Sequence, residues 1–337
     1  MQNNTQDTQD TQSAQETRGD GGQPSGGPGP FARPEPFVAE FNRPVVAEFR
    51  ANGGRVGGMF EGADLLLLTT VGARGGRETT SPLGYIRAEG RLFVIASAGG
   101  SDRHPAWYHN LLAHPMVRVE LGAEEFEAIA VPAEGDDRDR LFAEAVRVAP
   151  GYGDYQAGTE RVLPVVVLEP AAAEDGAGEG EVRPVANLAE KLVEVHRWLR
   201  GQLGRIREET DAYLADRDER ADREGAVPAP GLSLQLRQHC LAFCESLRFH
   251  HDGEEHMFPV LAGQHPHLAD TLERLSEQHR EVDRIRGDIQ ELLERVATAD
   301  PAVFRADLER MSRELTAHLD EEEATLLPVL AEIPLPG

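Results

Sequence analysis

Two histidine and glutamate pairs occupy positions where the apolar stripes of two helical segments would continue. His318 and Glu322 follow a stripe near the C-terminus, and His250 and Glu254 follow another stripe upstream. Residues four apart lie one above the other on a helix, so each pair directs an imidazole and a carboxylate at one point. Because a bound transition metal would offset the free energy lost in burying unpartnered polar groups, the spacing predicts metal ligands. The stripes are Phe304, Leu308, Met311 and Leu315, and Leu236, Cys240, Phe243 and Leu247.

Two more helical stripes each contain one histidine. His196 lies in the stripe between residues 188 and 203, and His279 lies in the stripe between residues 268 and 293. Metal sites in helical bundles are built from side chains that project inward from facing helices. Imidazole and carboxylate together suit iron better than they suit a soft metal. We therefore expect four helices to supply one iron-binding centre, whereas any single pair also fits a solvated acidic helix face.

This arrangement resembles the hemerythrin-like family, whose four-helix bundles hold a non-haem di-iron centre. The resemblance covers residues 187–333 and rests on the motifs FHHDGEEHMFPVL, SEQHREVDR and AHLDEEEATLLPVL. It implies an all-α, up-down four-helix bundle in which Pro259 and Pro328 close their helices. The implied ligands are His196, His250, Glu254, His279, His318 and Glu322.

Two departures from the hemerythrin-like pattern affect the predicted site. Oxygen-carrying members place a second histidine four residues after the one on the third helix, but this chain has Asp283 there. The resemblance therefore implies a six-ligand site with more open iron. The acidic pair also lies one residue closer to the proline than in many relatives, which leaves His251 with Glu255 as an alternative register. The apolar stripe favours His250 with Glu254.

Other histidines and acids near these motifs are expected to have no ligand role. His239 lies eleven residues before His250, roughly 16 Å along a helix axis. It is expected to be a structural or surface residue. Asp320, Glu321 and Glu323 are expected to be ordinary surface charge.

Residues 37–170 have a different pattern, in which short runs of strand composition alternate with turns that contain glycine. This pattern predicts a small β-barrel with flanking helices. The predicted strands are 63–71, 81–88, 91–97, 125–132 and 162–170, and the predicted helices are 39–51, 104–113 and 135–148.

The segment TTVGARGGRETT between the first two predicted strands has the composition of an anion-binding loop. Gly72, Gly75 and Gly76 allow a ligand to approach the backbone closely. Arg74 and Arg77 offer forked donors for a phosphate or carboxylate. The spacing is not that of a dinucleotide-binding fingerprint or a P-loop. A glycine-rich hairpin with solvated arginines is the alternative that these residues leave open.

The segments LLLLTTVGARGGRETTSPLGYI, ASAGGSDRHPAWYHNLLAHP and APGYGDYQAGTERVLPVVVLEP together resemble the deazaflavin-dependent nitroreductase family. Members of that family have a split β-barrel and use coenzyme F-420, and the resemblance covers residues 40–170. It implies that Tyr152 and Tyr155 line the substrate side as catalytic residues. The implied cofactor-binding residues are Thr69, Arg74, Arg77, Ser97, Gly99, Gly100, Trp107 and Asn110.

Three of these positions also fit other interpretations. Gly75 stands where relatives often have serine, so one hydroxyl contact to the cofactor is expected to be missing. Trp107 fits a core aromatic equally well, because aromatic side chains stabilise proteins mainly through burial. Tyr152 and Tyr155 also fit tyrosines that pack over the barrel. Since Tyr152 lies in a glycine-flanked loop, it is the better placed of the two to donate a proton.

The composition divides the chain of 337 residues into four parts. Residues 1–36 are rich in Gln, Thr, Asp, Gly and Pro, which predicts a disordered tail. Residues 37–170 form the predicted barrel, 171–186 an acidic Gly/Ala linker, and 187–333 the predicted bundle. The expected fold class is multidomain α+β, with a split β-barrel followed by the four-helix bundle.

The charge and the apolar runs exclude several partners. A formal net charge of -25 repels nucleic acid and anionic membranes. No run approaches the roughly 18 apolar residues that span a bilayer, so no membrane span is predicted and the cytoplasm is the expected location. Cys240 and Cys244 lie on a helical face beside Phe243, as small buried hydrophobes do.

We interpret the chain as a deazaflavin-dependent oxidoreductase fused to a non-haem di-iron bundle. The expected reaction is reduction of a quinone, a nitro compound or an activated alkene by hydride transfer. The expected partners are a small-molecule electron acceptor at the barrel and dioxygen or nitric oxide at the iron, and a homodimer is left open. The alternative is a sensor or carrier of oxygen, nitric oxide or iron, in which the barrel only binds cofactor.

Overall fold

The computed structural model describes residues 35–171, 187–224, 233–294 and 300–333. The predicted tail and the predicted linker lie almost wholly outside these ranges. The first helix begins at Glu35, within the last residues assigned to the tail, and four residues before the predicted helix start.

Six antiparallel strands close into a barrel in the order β1-β2-β3-β6-β5-β4. β1 has four consecutive leucines because both of its faces are buried. Leu65 and Leu67 pack against Phe49 of the first helix, whereas Leu66 and Leu68 lie in the barrel interior. The strands are β1 Leu65–Val71, β2 Glu78–Ala88, β3 Arg91–Ile95, β4 Met116–Leu121, β5 Glu124–Pro132 and β6 Val165–Pro170.

Four helices flank the barrel. The second contributes Trp107, Tyr108 and Leu111 to the barrel interior, and the third packs Leu141 and Ala145 on the outer face of the sheet. The sequence patterns do not predict β4 or α4, because β4 follows a helix directly and α4 contains glycines, which disfavour helix formation. The helices are α1 Glu35–Ala51, α2 Ala106–Ala113, α3 Gly135–Val148 and α4 Gly151–Ala157.

The second half of the chain is a four-helix bundle in which neighbours in the chain pack together and the last helix packs against the first. Two apolar layers fill its interior. One includes Leu199, Phe243, Ile285 and Leu315, and the other lies toward the opposite end of the bundle around Phe258. The gap between the layers holds the predicted metal ligands. The helices are α5 Leu188–Glu224, α6 Leu234–Gln264, α7 Ala269–Glu294 and α8 Pro301–Leu330.

Helix α6 is longer than its sequence motif implies. Ser233 caps its N-terminus, where the side chain accepts a hydrogen bond from the Leu236 backbone N–H. Pro259, which was expected to close the helix, lies inside it, and the helix continues to Gln264. Phe258 and Leu261 are both buried, so packing of the last turn offsets the backbone hydrogen bond that proline removes. Cys240 and Cys244 are free and buried on α6, as expected.

The first turns of α6 dock against the barrel. Ala242 packs with Ile129 and Val131 of β5, and Trp198 of α5 packs against the same cluster. The carboxylate of Glu134 accepts a hydrogen bond from the Leu234 backbone N–H at 2.8 Å. The barrel and the bundle therefore share an interface that is apolar at its centre and polar at its edge.

A buried charge cluster completes this interface. His239 of α6 is 1% exposed, and its ring nitrogens lie 2.8 Å from Glu209 of α5 and 3.3 Å from Glu169 of β6. Arg205 also pairs with Glu169, at 2.5 Å. Of the two roles expected for His239, the structure therefore assigns the structural one. None of the helices in the described ranges is long and apolar enough to cross a membrane.

Candidate metal centre and cofactor site

The six predicted metal ligands converge between the two apolar layers of the bundle, together with His251. Two groups of possible ligands have their donor atoms within 4.8 Å of one another. One group contains three histidines, and the other contains two histidines and two glutamates. These seven side chains are buried or nearly so. The groups are His251, His279 and His318, and His196, His250, Glu254 and Glu322.

Glu322 lies between the two groups. Its Oε1 is 3.1 Å from Nε2 of His279 and 3.1 Å from Nε2 of His318. Its Oε2 is 3.3 Å from Nε2 of His196 and 3.8 Å from Nε2 of His250. The carboxylate therefore faces two histidines with each oxygen, which is the placement of a bridging ligand.

Glu254 spans the same gap from α6. Its Oε2 is 3.4 Å from Nε2 of His250 and 3.4 Å from Nε2 of His279. The imidazoles of His196 and His250 meet with their Nε2 atoms 3.0 Å apart. Two carboxylates and the Nε2 atoms of four histidines thus point into one volume at the centre of the bundle.

The outward nitrogens of three of these histidines have polar partners. Nδ1 of His196 lies 2.9 Å from Glu323, and Nδ1 of His279 lies 3.0 Å from Glu255. Nδ1 of His318 lies 2.7 Å from the amide oxygen of Gln278. Since oxygens accept, each Nδ1–H donates, which directs the Nε2 atom of each ring toward the centre, as in known metal sites.

These outer contacts change two sequence expectations. Glu323 is not ordinary surface charge, because it orients His196 and also pairs with Arg200 at 2.6 Å. Glu255 would be a ligand in the alternative register. In the structure its carboxylate instead contacts Nδ1, the outward nitrogen of His279. The structure places Glu254 beside His250, as the apolar stripe predicts.

His251 is the residue that the expected six-ligand site lacks. It stacks on His279 with ring centroids 4.0 Å apart, and it lies 5.3 Å from the ring of His318. Asp283, at the position of the missing histidine, is 46% exposed and pairs with Arg286. With His251 the cluster has five histidines and two carboxylates, which is one candidate ligand more than the six expected from the sequence.

Burial and hydrogen bonding set the pKa values in this cluster in different directions. Burial lowers the pKa of His251, which leaves its imidazole neutral and able to act as a ligand. Burial alone would also lower the pKa of His279, but the neighbouring carboxylates of Glu254 and Glu322 raise it to about 10. Burial raises the pKa of Glu254. For Glu322, hydrogen bonds from four histidines outweigh burial and hold the carboxyl pKa far below its usual range.

The buried polar atoms of this cluster fit a metal. Both ring nitrogens of His251, both oxygens of Glu254 and Oε2 of Glu322 have no hydrogen-bond partner. The contacts of Glu254 and of Glu322 Oε2 to the histidines are close in distance but lack hydrogen-bond geometry. A buried polar atom without a partner destabilises a protein by about 1–3 kcal/mol. Coordination of iron by neutral imidazole and carboxylate would satisfy the carboxylate oxygens and one ring nitrogen of His251.

In the barrel, Asn110 joins α2 to the glycine-rich loop. Its amide nitrogen donates to the Thr70 hydroxyl at 3.1 Å, and its amide oxygen accepts from the Ala73 backbone N–H at 3.2 Å. The Thr69 hydroxyl is buried and lies 2.8 Å from the Thr80 hydroxyl. Two of the three resemblance-implied segments therefore meet at this end of β1.

The glycine-rich loop presents Arg74 and Arg77 to solvent. Within the described ranges, neither side chain makes an ion pair or a hydrogen bond, so both are available to an anionic ligand. Gly76 has a φ of 62°, which favours glycine at that point of the turn.

The turn at 97–100 is built for close backbone approach. Gly99 has a φ of 63° and Gly100 a φ of 80°, in the region that glycine adopts readily. A Cβ on Gly100 would lie 3.3 Å from the Tyr155 carbonyl oxygen. Ser97 and both glycines thus lie against α4, which carries the two predicted catalytic tyrosines.

Arg161 holds this turn in place, a role that the sequence patterns did not predict. Its guanidinium donates to the carbonyl oxygens of Ser97 and Ser101, each at 2.6 Å, and to that of Ala96 at 3.1 Å. It also lies 3.0 Å from Nδ1 of His104. The sequence feature that could have indicated this role is its position in the motif TERVLP.

The two tyrosines of α4 have different surroundings. Tyr152 packs against the apolar cluster beneath α3, and burial raises its pKa to about 12, so its hydroxyl stays protonated at neutral pH. A Cβ on Gly84 would lie 3.1 Å from that hydroxyl. Tyr155 is 40% exposed, and the two rings are 6.2 Å apart. Trp107 is 7% exposed and packs in the barrel core.

A groove of about 1230 Å³ lies at the other end of β1, around Asp64 and Leu65. It is lined by four carboxylates and two arginines, so its net charge is unsuited to an anionic cofactor. The residues implied for the cofactor do not line it. We therefore place the candidate cofactor site at the glycine-rich loop and the 97–100 turn. The charged lining residues are Glu48, Glu61, Asp64, Glu124, Arg55 and Arg87.

Comparison with known proteins identifies both halves of the chain. Residues 41–170 match the family model of the F420H(2)-dependent quinone reductases, and residues 187–330 match the hemerythrin HHE cation binding domain. An F420H(2)-dependent quinone reductase of Mycobacterium tuberculosis is 38% identical over 128 residues, which is 36% of this chain and 85% of the relative.

Solved structures are similar to the barrel. An F420-H2 dependent reductase is 36% identical, with a TM-score of 0.30, over 32% of this chain and 94% of that chain. A chain solved as a domain-swapped dimer is 31% identical, with a TM-score of 0.32, over 39% of this chain and 96% of that chain. From the sequence relationships, the chain belongs to the F420H(2)-dependent quinone reductase family and carries a hemerythrin HHE domain at its C-terminal side.

Proposed function

We propose that the barrel catalyses hydride transfer from reduced coenzyme F-420 to a quinone. The main support is that Asn110 joins the glycine-rich loop to α2, in a chain whose relatives are named for this reaction. Nitro compounds and activated alkenes, which accept a hydride and a proton in the same way, are further candidate acceptors.

The residues around this site have the properties that the reaction needs. When bound, the reduced cofactor supplies the hydride, and reduction of a quinone to a hydroquinone then requires one proton. Arg74 and Arg77 bind the anionic part of the cofactor, and the Gly99-Gly100 turn lets its ring approach the backbone. Tyr152 holds a proton on its hydroxyl at neutral pH because burial raises its pKa, so it can donate to the acceptor.

The test uses the full chain. Oxidised F-420 is titrated into the protein and its fluorescence is followed, and reduced F-420 is then mixed with menadione in a stopped-flow instrument. We expect saturable binding and rapid oxidation of the cofactor, with weaker binding of flavin mononucleotide. Tighter binding of flavin mononucleotide, or no binding of F-420, would contradict this assignment.

We also propose that the bundle binds two iron ions per chain. The residues that would hold the ions are His251, His279 and His318 of one group. The other group would contribute His196, His250, Glu254 and Glu322. Support comes from the seven buried or nearly buried donor groups and from the two carboxylates and one amide that orient three of the histidines.

Metal analysis of anaerobically reconstituted protein tests this second proposal. We expect close to two irons per chain and no comparable uptake after Glu322→Ala. Purification from a host that makes deazaflavin separates the two functions. Cofactor with little iron favours the reductase as the main role, and iron without cofactor favours the alternative of a sensor or carrier of oxygen, nitric oxide or iron.

A further inference from the structure

The C-terminal end of helix α2 in the barrel has one cap of its own, the hydrogen bond from the His114 backbone N–H to the Asn110 carbonyl. The helix has eight residues and no basic residue in its last turn. Helices this short are marginal without tertiary contacts, and their last four carbonyls need donors from elsewhere. α2 also carries Asn110, which joins it to the glycine-rich loop, so the stability of this short helix affects the candidate cofactor site.

The bundle supplies the missing donors. Arg237 of α6 donates from Nη1 to the Leu112 carbonyl oxygen at 2.7 Å. A cation at this position is favourable because the C-terminus of a helix carries partial negative charge. Burial lowers the pKa of Arg237, but arginine remains charged at neutral pH. Arg237 thus makes a charge-assisted hydrogen bond to a carbonyl that α2 leaves open.

A second contact lies one residue beyond the end of α2. Glu245 of α6 lies 3.0 Å from Nδ1 of His114, and both side chains are partly buried. The His114 backbone N–H in turn donates to the Asn110 carbonyl at 2.8 Å. The contact from Glu245 therefore reaches, through one residue, the asparagine that anchors the loop. Arg237 and Glu245 are eight residues apart on one helix, so they face the same side.

Helix α6 is itself fixed on the barrel at independent points. Glu134 binds its N-terminus, His239 pairs with Glu169, and Ala242 packs on β5. Arg237 and Glu245 are therefore held at a defined distance from α2.

We propose that Arg237 and Glu245 are positioning residues for the reductase, through which the bundle fixes α2 and Asn110 in the barrel's cofactor site. This proposal rests on the proposed reductase function. It assigns the bundle a role in cofactor binding that does not depend on electron exchange between the domains.

The experiment compares Arg237→Met, Glu245→Gln and Arg237→Lys with the wild-type full chain. Arg248→Met is the matched control, since Arg248 lies on the same helix, is 48% exposed and pairs with Asp252. Hydrogen exchange of residues 106–114 is measured without cofactor, and F-420 affinity, KM and kcat are measured with it.

For Arg237→Met we expect faster exchange in α2 and an increase of roughly tenfold in the Kd and KM for F-420, with kcat changed less. Arg237→Lys, which retains a donor, should recover part of the affinity, and Glu245→Gln should show a smaller loss. If Arg237→Met unfolds the chain, Glu245→Gln and Arg237→Lys still test the proposal.

Two results would overturn the inference. One is unchanged exchange and affinity in both Arg237→Met and Glu245→Gln, and the other is an equal defect in Arg248→Met. If the wild-type chain fails to bind F-420, the proposed function fails. The exchange of α2 in the cofactor-free variants then still decides whether the bundle holds this helix.

Discussion

The two candidate sites of this chain are built in opposite ways. The metal centre takes its seven groups from regular helices in a buried gap between apolar layers, and four of them form two pairs spaced four residues apart. The cofactor site is assembled mainly from turns and short helices at the barrel surface, with Arg74, Arg77 and Tyr155 exposed. Helical spacing therefore reveals the first site directly, whereas the second depends on contacts between distant segments.

The largest effect should come from removing the central carboxylate of the buried site. Glu322→Ala leaves the facing histidines without their shared anion, and breaking a buried charge pair destabilises a protein by about 3–5 kcal/mol. We expect loss of at least one iron per chain, measured by elemental analysis, and a lower free energy of unfolding in the metal-free protein. Glu309→Ala, at an exposed position on the same helix, is the control. Full retention of iron by Glu322→Ala would show that Glu322 is not a metal ligand.

The corresponding change at the barrel site is Tyr152→Phe. It removes a hydroxyl that burial keeps protonated, and loss of a general acid reduces turnover by about a hundredfold or more. We expect stopped-flow oxidation of reduced F-420 by menadione to slow by that factor, with little change in F-420 affinity. Equal turnover in the variant would make Tyr152 a packing residue only.

His251→Leu should change iron binding and metal-free stability in opposite directions. Both ring nitrogens of His251 are buried without partners, so an apolar side chain should stabilise the metal-free bundle by about 1–2 kcal/mol. Iron content should fall from about two to about one per chain. Thermal unfolding with and without iron measures both effects.

His256→Leu, at an exposed position on the same helix, controls for this change. If the His251→Leu protein still binds two irons, His251 is not a ligand and the six-ligand site implied by the resemblance is the better description.

The smallest expected effect concerns pH and the interface between the two regions. Glu169 and Glu209 raise the pKa of His239 to about 9, against burial, from an ordinary value of 6.5. Since the folded-state pKa is the higher one, this contribution is complete below about pH 6.5 and is lost as the pH rises through about 9. We expect the free energy of unfolding to fall across this range. Denaturant unfolding of His239→Gln should show a flatter pH profile, and an unchanged slope would contradict the assignment.

Particular residues show what the sequence can and cannot predict. The His-x-x-x-Glu spacing places His250 and Glu254 because a helix repeats within a few residues. It does not reveal His251, whose ring reaches the centre only because of how α6 is rotated against α7. The helical pattern around Glu323 predicts a surface charge. The structure gives it a different role, because its partner His196 lies 127 positions away in the chain.

The barrel illustrates the same limit in its strands and turns. Most strands follow from their composition, but β4 carries arginine and glutamate on one face and its pairing with β1 and β5 is set by barrel closure. The sequence does not identify Arg161 as a positioning residue, because its acceptors are backbone carbonyls, which have no sequence signature. The family resemblance supplied the cofactor segments that neither periodicity nor spacing could predict.

The two cysteines of this chain allow the opening of the bundle to be measured without an engineered label. Cys240 and Cys244 are its only thiols, both lie in the apolar layer of α6, and burial raises the pKa of each. A buried protonated thiol does not react with alkylating reagents until the helix opens. The rate of alkylation therefore reports the opening free energy of α6 alone, and its dependence on added iron or F-420 would show which ligand closes the bundle.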